Sequence, residues 1–158
     1  MNKPTLYMET TIPSYLLAGP SRNKIASVRQ EITRAWWEQD ATKYSVYISD
    51  VVIREAGKGD RKASDKRLTF LQAFPLLDTL PEIESVIVRY IKEKVVPFGS
   101  AEDAAHLAFA SVHQIQYLCT WNFKHLANVM ALRRLREVND KLGLFTPQVC
   151  TPEQLMGE

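Results

Sequence analysis

The chain is poor in the residues that mark several functional classes. Only two of its 158 residues are cysteine and three are histidine, and no Cys/His spacing suits a zinc site. Cys119 and Cys150 lie in apolar, strand-like contexts and read as buried thiols of a reduced compartment rather than a disulfide framework. No apolar run is long enough to span a bilayer. Met1-Asn2-Lys3-Pro4 leads into a strand rather than the apolar segment of a signal peptide, so a cytoplasmic protein is expected, with no membrane partner. Low-complexity tracts, linkers and internal repeats are also missing. So is an excess of charge: 20 Lys and Arg against 18 Asp and Glu leave a net charge of +2, which points to no particular polyanionic partner. The basic residues are uneven, with Arg54, Lys58, Arg61, Lys62, Lys66 and Arg67 in one segment and Arg133, Arg134 and Arg136 in another. Glu55, Asp60 and Asp65 dilute the first group, and taken alone such groups read as solvated helix faces.

What is present suits one folded domain over residues 1–158, with 46% hydrophobic residues and length enough for a real core. Residues 5–9 read as a short buried strand after Pro4, with Thr11 as N-cap and Pro13 in the first turn of the helix that follows. Val28, Ile32, Ala35 and Trp36 make one stripe of an amphipathic helix over residues 24–39. Residues 44–48 form a second strand by their β-branched and aromatic content. Ser49 would cap the helix carrying Val51, Val52 and Glu55, and a helix of mixed charge then runs to about Ala73. A third strand is expected over residues 76–80, and a helix after Pro81 with apolar residues at helical spacing. An Ala-rich helix over residues 101–113, a strand over 117–120 and a largely helical stretch over 123–142, broken near Asn128, come next. Residues 144–150 give a fifth, edge strand around Pro147, and Thr151-Pro-Glu-Gln154 a capped final turn. Strands alternating with helices predict an α/β domain around a mostly parallel sheet of about five strands.

In such sheets ligands bind beyond the carboxyl ends of the strands. Glu9 and Asn122 stand at two such ends, and Glu55 and Asp103 fall early in helices that start at the same edge. Three carboxylates converging there repel one another unless a cation is bound, which suggests a divalent-metal site. Each residue also has a plainer role. Ser100-Ala-Glu-Asp103 fits a capping box, Glu55 can pair with Lys58 or Lys62, and Asn122 can open a turn or cap a helix. Thr10 and Ser49 can simply cap helices, and His125 reads first as a surface or capping group. His106 and His113 read as packing or surface residues, and Trp36, Trp37 and Trp121 as core or interface residues, with nothing marking a stacking platform for bases.

Taken in order, the fragments YMETTIPSYL, SDVVIREAGKGD, SAEDAAHLAFA and LCTWNFKHLAN resemble the PIN-domain family, from about Leu6 to Cys150. PIN domains are metal-dependent ribonucleases and include the VapC-like toxins of bacterial toxin–antitoxin pairs. The resemblance implies a three-layer α/β/α sandwich. It places Glu9 where the family usually has Asp, Glu55 at the Glu after the second strand, and Asp103 in the D-A-x-x-A motif. Asn122 stands where a further Asp is common, and Thr10 and Thr120 at supporting hydroxyls. Glu9, Glu55 and Asp103 would then hold Mg²⁺ or Mn²⁺ for hydrolysis of single-stranded RNA. Lys58, Arg61 and Lys124 lie near the predicted rim and would hold the RNA backbone, and His125, three residues past Asn122, would reach the RNA substrate; a small antitoxin protein and a homodimer are partners the resemblance further implies. Asn122 keeps an oxygen ligand but loses a charge and cannot act as a base. That departure keeps open the alternative of a catalytically weakened PIN domain that binds RNA or a protein, beside the leading reading of a ribonuclease.

Overall fold

The structure, a computed structural model, describes residues 2–157. Four parallel strands, β1 (Thr5–Met8), β2 (Ser45–Tyr47), β3 (Tyr117–Cys119) and β4 (Gln148–Cys150), form a sheet in the order β2-β1-β3-β4. The helices are α1 (Thr11–Leu17), α2 (Lys24–Gln39), α3 (Asp50–Ala56), α4 (Arg61–Leu71), α5 (Glu82–Lys92), α6 (Ala101–Val112), α7 (Val129–Leu142) and α8 (Pro152–Leu155). The chain leaves β1 for β2 in one direction and crosses back over β1 to reach β3 and β4. Right-handed crossovers therefore send α1 and α2 to one face and α5, α6 and α7 to the other, while α4 packs against α1. The α/β architecture with its PIN-like topology is as expected, but the sheet has four strands rather than five.

The missing strand has a local cause. Leu76 makes a single parallel bridge to Ile48, with Ile48 N donating to Pro75 O at 3.1 Å and Leu77 N to Ile48 O at 2.8 Å. Pro75 has no N–H to extend that ladder, and Asp78 O is taken instead by the His113 ring at 2.7 Å. The chain turns away before a second bridge can form.

Burial on both faces explains why β1 and β3 read as continuous apolar runs: Leu6, Tyr7, Met8, Leu118 and Cys119 are all fully buried. Cys119 and Cys150 are neighbours in register across β3 and β4, and both are free and buried. The alanines of α6 (Ala104, Ala105, Ala108 and Ala110) are buried and let that helix lie close to β3 and α5. Asn23, Asp60 and Asn128 cap α2, α4 and α7 through side-chain oxygens, and Thr151 and Gln154 form the expected capping box. Helix α7 starts only at Val129 because Asn128 turns the chain. Its amide nitrogen donates to Phe123 O and Lys124 O while its oxygen accepts from Ala131 N. Residues 123–128 are thus a knot of turns that presents the segment after β3.

Buried polar bonds knit the second helical layer. The Tyr90 hydroxyl donates to Asn139 Oδ1 at 2.5 Å, and Asn139 Nδ2 reaches Ser111 Oγ, Phe145 O and Thr146 Oγ1 at 3.1–3.2 Å. Removing that amide strands several groups without water. Asn139→Ala is expected to cost about 2–4 kcal/mol, read as a lower urea midpoint; an unchanged midpoint would show that the network contributes nothing.

Candidate active site

The switch point of the sheet lies between β1 and β3, because the chain leaves β1 in opposite directions on its two sides. Glu9 sits there. Its N–H donates to Cys119 O at 3.1 Å, which prolongs the ladder by one residue beyond Met8. Its carboxylate, only 3% exposed, accepts on Oε1 from Thr11 N at 3.0 Å, Thr11 Oγ1 at 2.5 Å and Thr120 Oγ1 at 2.7 Å. Two donors from Thr11 at the start of α1 and one from Thr120 just after β3 thus meet on one oxygen. Thr11 is accordingly not the N-cap of α1. It lies one residue inside the helix, and its hydroxyl also accepts from Trp121 N at 2.8 Å.

Glu55 reaches the same place from the last turn of α3. Its Oε1 accepts from Thr10 Oγ1 at 2.7 Å and is bonded to His106 Nε2 at 2.5 Å. His106, fully buried on α6, uses its other nitrogen for the Tyr7 hydroxyl at 2.6 Å, and Tyr7 continues to Ser49 Oγ at 2.7 Å. Ser49 therefore precedes α3 without capping it through its side chain. One ligand atom each from Glu9, Glu55 and His106 lie within 4.8 Å of one another.

The charges in this group are set against one another. Burial pushes the Glu9 carboxyl above its usual range, opposed by the charge of His106 and the hydroxyls of Thr11 and Thr120. Burial also disfavours ionised Glu55, but the bond to His106, the histidine's charge and the Thr10 hydroxyl outweigh it and hold the carboxyl at about 2. His106 is desolvated as well, yet its bond to Glu55 and the charges of Glu9 and Glu55 raise it above 6.5. Glu55 and His106 therefore form a carboxylate–imidazolium pair with Glu9 at its side.

Asp103 and Asn122 form an adjoining cluster. Asp103 Oδ2 is bonded to His125 Nδ1 at 2.7 Å, and Oδ1 accepts from Asn122 Nδ2 at 3.3 Å. Asn122 N donates to Thr120 Oγ1 at 3.0 Å, and Asn122 Oδ1 accepts from His125 N at 3.0 Å. The capping box expected at Ser100 does not form; no side-chain cap is made there, and Ser100 Oγ instead lies 3.5 Å from His125 Nδ1. Thr120 thus links Glu9 to Asn122 and Asp103 in one hydrogen-bonded chain, while Glu55 stands beside Glu9 by proximity; the tight group is Glu9, Glu55 and His106, with Asp103 outside it. His125 is a partner of Asp103 rather than a free rim group. Among the rim cations, Lys58 is tied to Glu102 at 2.9 Å, while Arg61 and Lys124 are exposed.

His106 corrects the expectation of a packing residue. The sequence carried a usable signal, since His106 is three residues beyond Asp103 and shares its helical face, while Tyr7 is two residues before Glu9 and shares its strand face.

No protein-family model matches the sequence, and no curated protein matches it. Among solved structures the chain is similar to VapBC2 from Rickettsia felis bound to a DNA fragment from their promoter, with a TM-score of 0.58 over 93% of this chain and 98% of that one. Identity is 15%, so the likeness is one of fold, and that fold is PIN-like.

Proposed function

We propose that the chain is a metal-dependent endoribonuclease acting on single-stranded RNA, the toxin-like member of a toxin–antitoxin pair. The observation that carries this reading is the placement of Glu9 and Glu55 together at the switch point of a PIN-like sheet. The likeness to VapBC2 supports the toxin–antitoxin setting, with a small antitoxin protein as partner; a homodimer is part of the proposal on the family resemblance alone.

The donor set fits a hard divalent cation such as Mg²⁺ or Mn²⁺, which prefers oxygen ligands. In both carboxylates the bonds from threonine and histidine fall on Oε1, so Glu9 and Glu55 would each still have an oxygen free of these bonds to offer such an ion. His106 is bonded at both nitrogens, so it positions Glu55 and keeps it ionised rather than joining the ligands. Asp103 supplies the third carboxylate of the crevice. When bound, such an ion acidifies a water for in-line attack on a phosphodiester and offsets charge on the phosphate oxygens. Thr10 and Thr120 fix the rotamers of Glu55 and Glu9, and Lys58, Arg61 and Lys124 hold the RNA backbone.

The purified protein is expected to cleave single-stranded RNA with Mg²⁺ or Mn²⁺ and not with chelator. Glu9→Gln and Glu55→Gln should abolish cleavage, and His106→Gln should lower it about 10- to 100-fold, as removal of a group orienting a metal ligand does. Equal cleavage by the native protein and a Glu9→Gln/Asp103→Asn variant would sink the proposal.

The ion pair makes a second prediction, for protein kept in chelator. Glu55 is depressed from 4.5 to about 2 on folding, so its stabilisation is present above pH 4.5 and lost as pH falls toward 2. His106 is raised above 6.5, so its stabilisation is present below pH 6.5 and lost as pH rises through its folded value. The difference in urea midpoint between the native protein and Glu55→Gln should therefore be widest near pH 5.5 and narrower at pH 3 and pH 9. A difference independent of pH would show that the pair is not ionised.

A further inference from the structure

Beside the carboxylates, four side chains form an arrangement that neither the metal nor the fold requires. The Arg29 guanidinium carbon lies 5.2 Å from the ring centroid of Phe123, 5.6 Å from that of Trp121 and 6.0 Å from that of Tyr15. Arg29 Nη1 also donates to the Tyr15 hydroxyl at 3.2 Å. Trp121 meets Tyr15 edge-on at 6.3 Å and Phe123 at 6.1 Å. Trp121 is only 4% exposed and is anchored at both ends, its indole N–H donating to Thr33 Oγ1 at 2.8 Å and its backbone N–H to Thr11 Oγ1 at 2.8 Å. Phe123 is 44% exposed.

We infer that Phe123, backed by Arg29 and Trp121, is a stacking platform for a base of the single-stranded RNA handled at the carboxylate site. This inference rests on the function proposed above. The ring is held by the guanidinium and by the edge of Trp121, so little rotamer freedom remains to be lost when a ligand stacks on its open side. Among the described residues Arg29 forms no ion pair with an acid and lies against aromatic rings, so its charge remains available to a phosphate. An exposed aromatic ring beside a cation is the combination by which proteins take up single strands. Its location gives the platform its use. Phe123 follows Asn122, which bonds Asp103 and Thr120, and the Thr11 hydroxyl that donates to Glu9 also accepts from Trp121 N. A base stacked on Phe123 therefore lies beside the residues that would hold the scissile phosphate. The ring offers no hydrogen-bonding group, so the subsite accepts any base and orders the strand without reading its sequence.

The test is binding of a short fluorescein-labelled single-stranded RNA, followed by anisotropy in a Glu9→Gln background that leaves the strand uncleaved. Phe123→Ala should weaken binding by roughly 5- to 100-fold, the range for losing one stacked base. Phe123→Trp should restore it, and Arg29→Gln should weaken binding and flatten its dependence on salt. A strand of abasic positions should be bound equally with and without Phe123→Ala. Thermal melts establish that each variant is folded. If Phe123→Ala leaves affinity unchanged, or weakens the abasic strand as much as the normal one, while the native protein cleaves RNA, the platform is overturned and the ribonuclease stands. If the Glu9→Gln background binds no RNA and the native protein cleaves none, both fall together.

Discussion

A carboxylate buried at the junction of two parallel strands is the constraint from which the rest of this molecule follows. Glu9 is nearly inaccessible, and an isolated ionised carboxylate there would be prohibitive without partners. Its carboxylate takes its partners from Thr11, which opens α1, and Thr120, which follows β3, while the Glu9 N–H is bonded to Cys119 O in β3. These bonds fix where β1 stops, how α1 leaves it and how closely the end of β3 approaches. Thr11 passes the constraint on through Trp121 N, and Thr120 through Asn122 N. The segment after β3 is therefore positioned by the same oxygen that orders the start of the chain.

Bringing Glu55 beside Glu9 adds a second negative charge, and the protein answers it with one imidazole. With Glu55 and His106 ionised the pair is neutral; burial raises both carboxyls, but only at Glu9 does it outweigh the charge of His106 and the hydroxyl bonds. Tyr7 has no room to share the burden, because burial drives its hydroxyl well away from ionisation and it serves as a neutral link to Ser49. One buried cation is thus set against two carboxylates, which leaves the group with a net negative charge. The same asymmetry explains why the desolvated histidine is raised rather than lowered: two carboxylates outweigh its own cost of burial.

Much of this was legible in the sequence, and the gaps have physical causes. Periodicity and cap residues marked β1, α2 and the Thr151 box, because these depend on local preferences. The strand over residues 76–80 was not recoverable that way, since its loss depends on Pro75 facing Ile48 and on His113 capturing Asp78 O, both long-range facts. Among the polar residues, strand ends and helix starts identified Glu9 and Glu55 as neighbours across 46 positions of sequence. They could not separate Asp103 from His106, because both lie on one face of α6 and only the tertiary approach of Tyr7 and Glu55 decides which enters the tight group. His125 escaped for the same reason, its bond to Asp103 depending on the turns after Asn122.

Asn122 is the residue whose meaning changes most. As a ligand it is an aspartate with the charge removed. In place, it is a neutral cross-link that only an amide can supply: its nitrogen donates to Asp103 while its oxygen accepts from His125 N. An ionised aspartate could accept from His125 N but could not donate to Asp103, and it would set a further negative charge against that carboxylate and within reach of Glu9. The amide therefore follows from the company it keeps, since a site that already holds Glu9 buried and Asp103 paired has no spare cation for a fourth carboxylate. On this geometry the loss of charge at Asn122 is compatible with a working crevice, in which Glu9 and Glu55 carry the negative charge and Asn122 sets the position of Asp103.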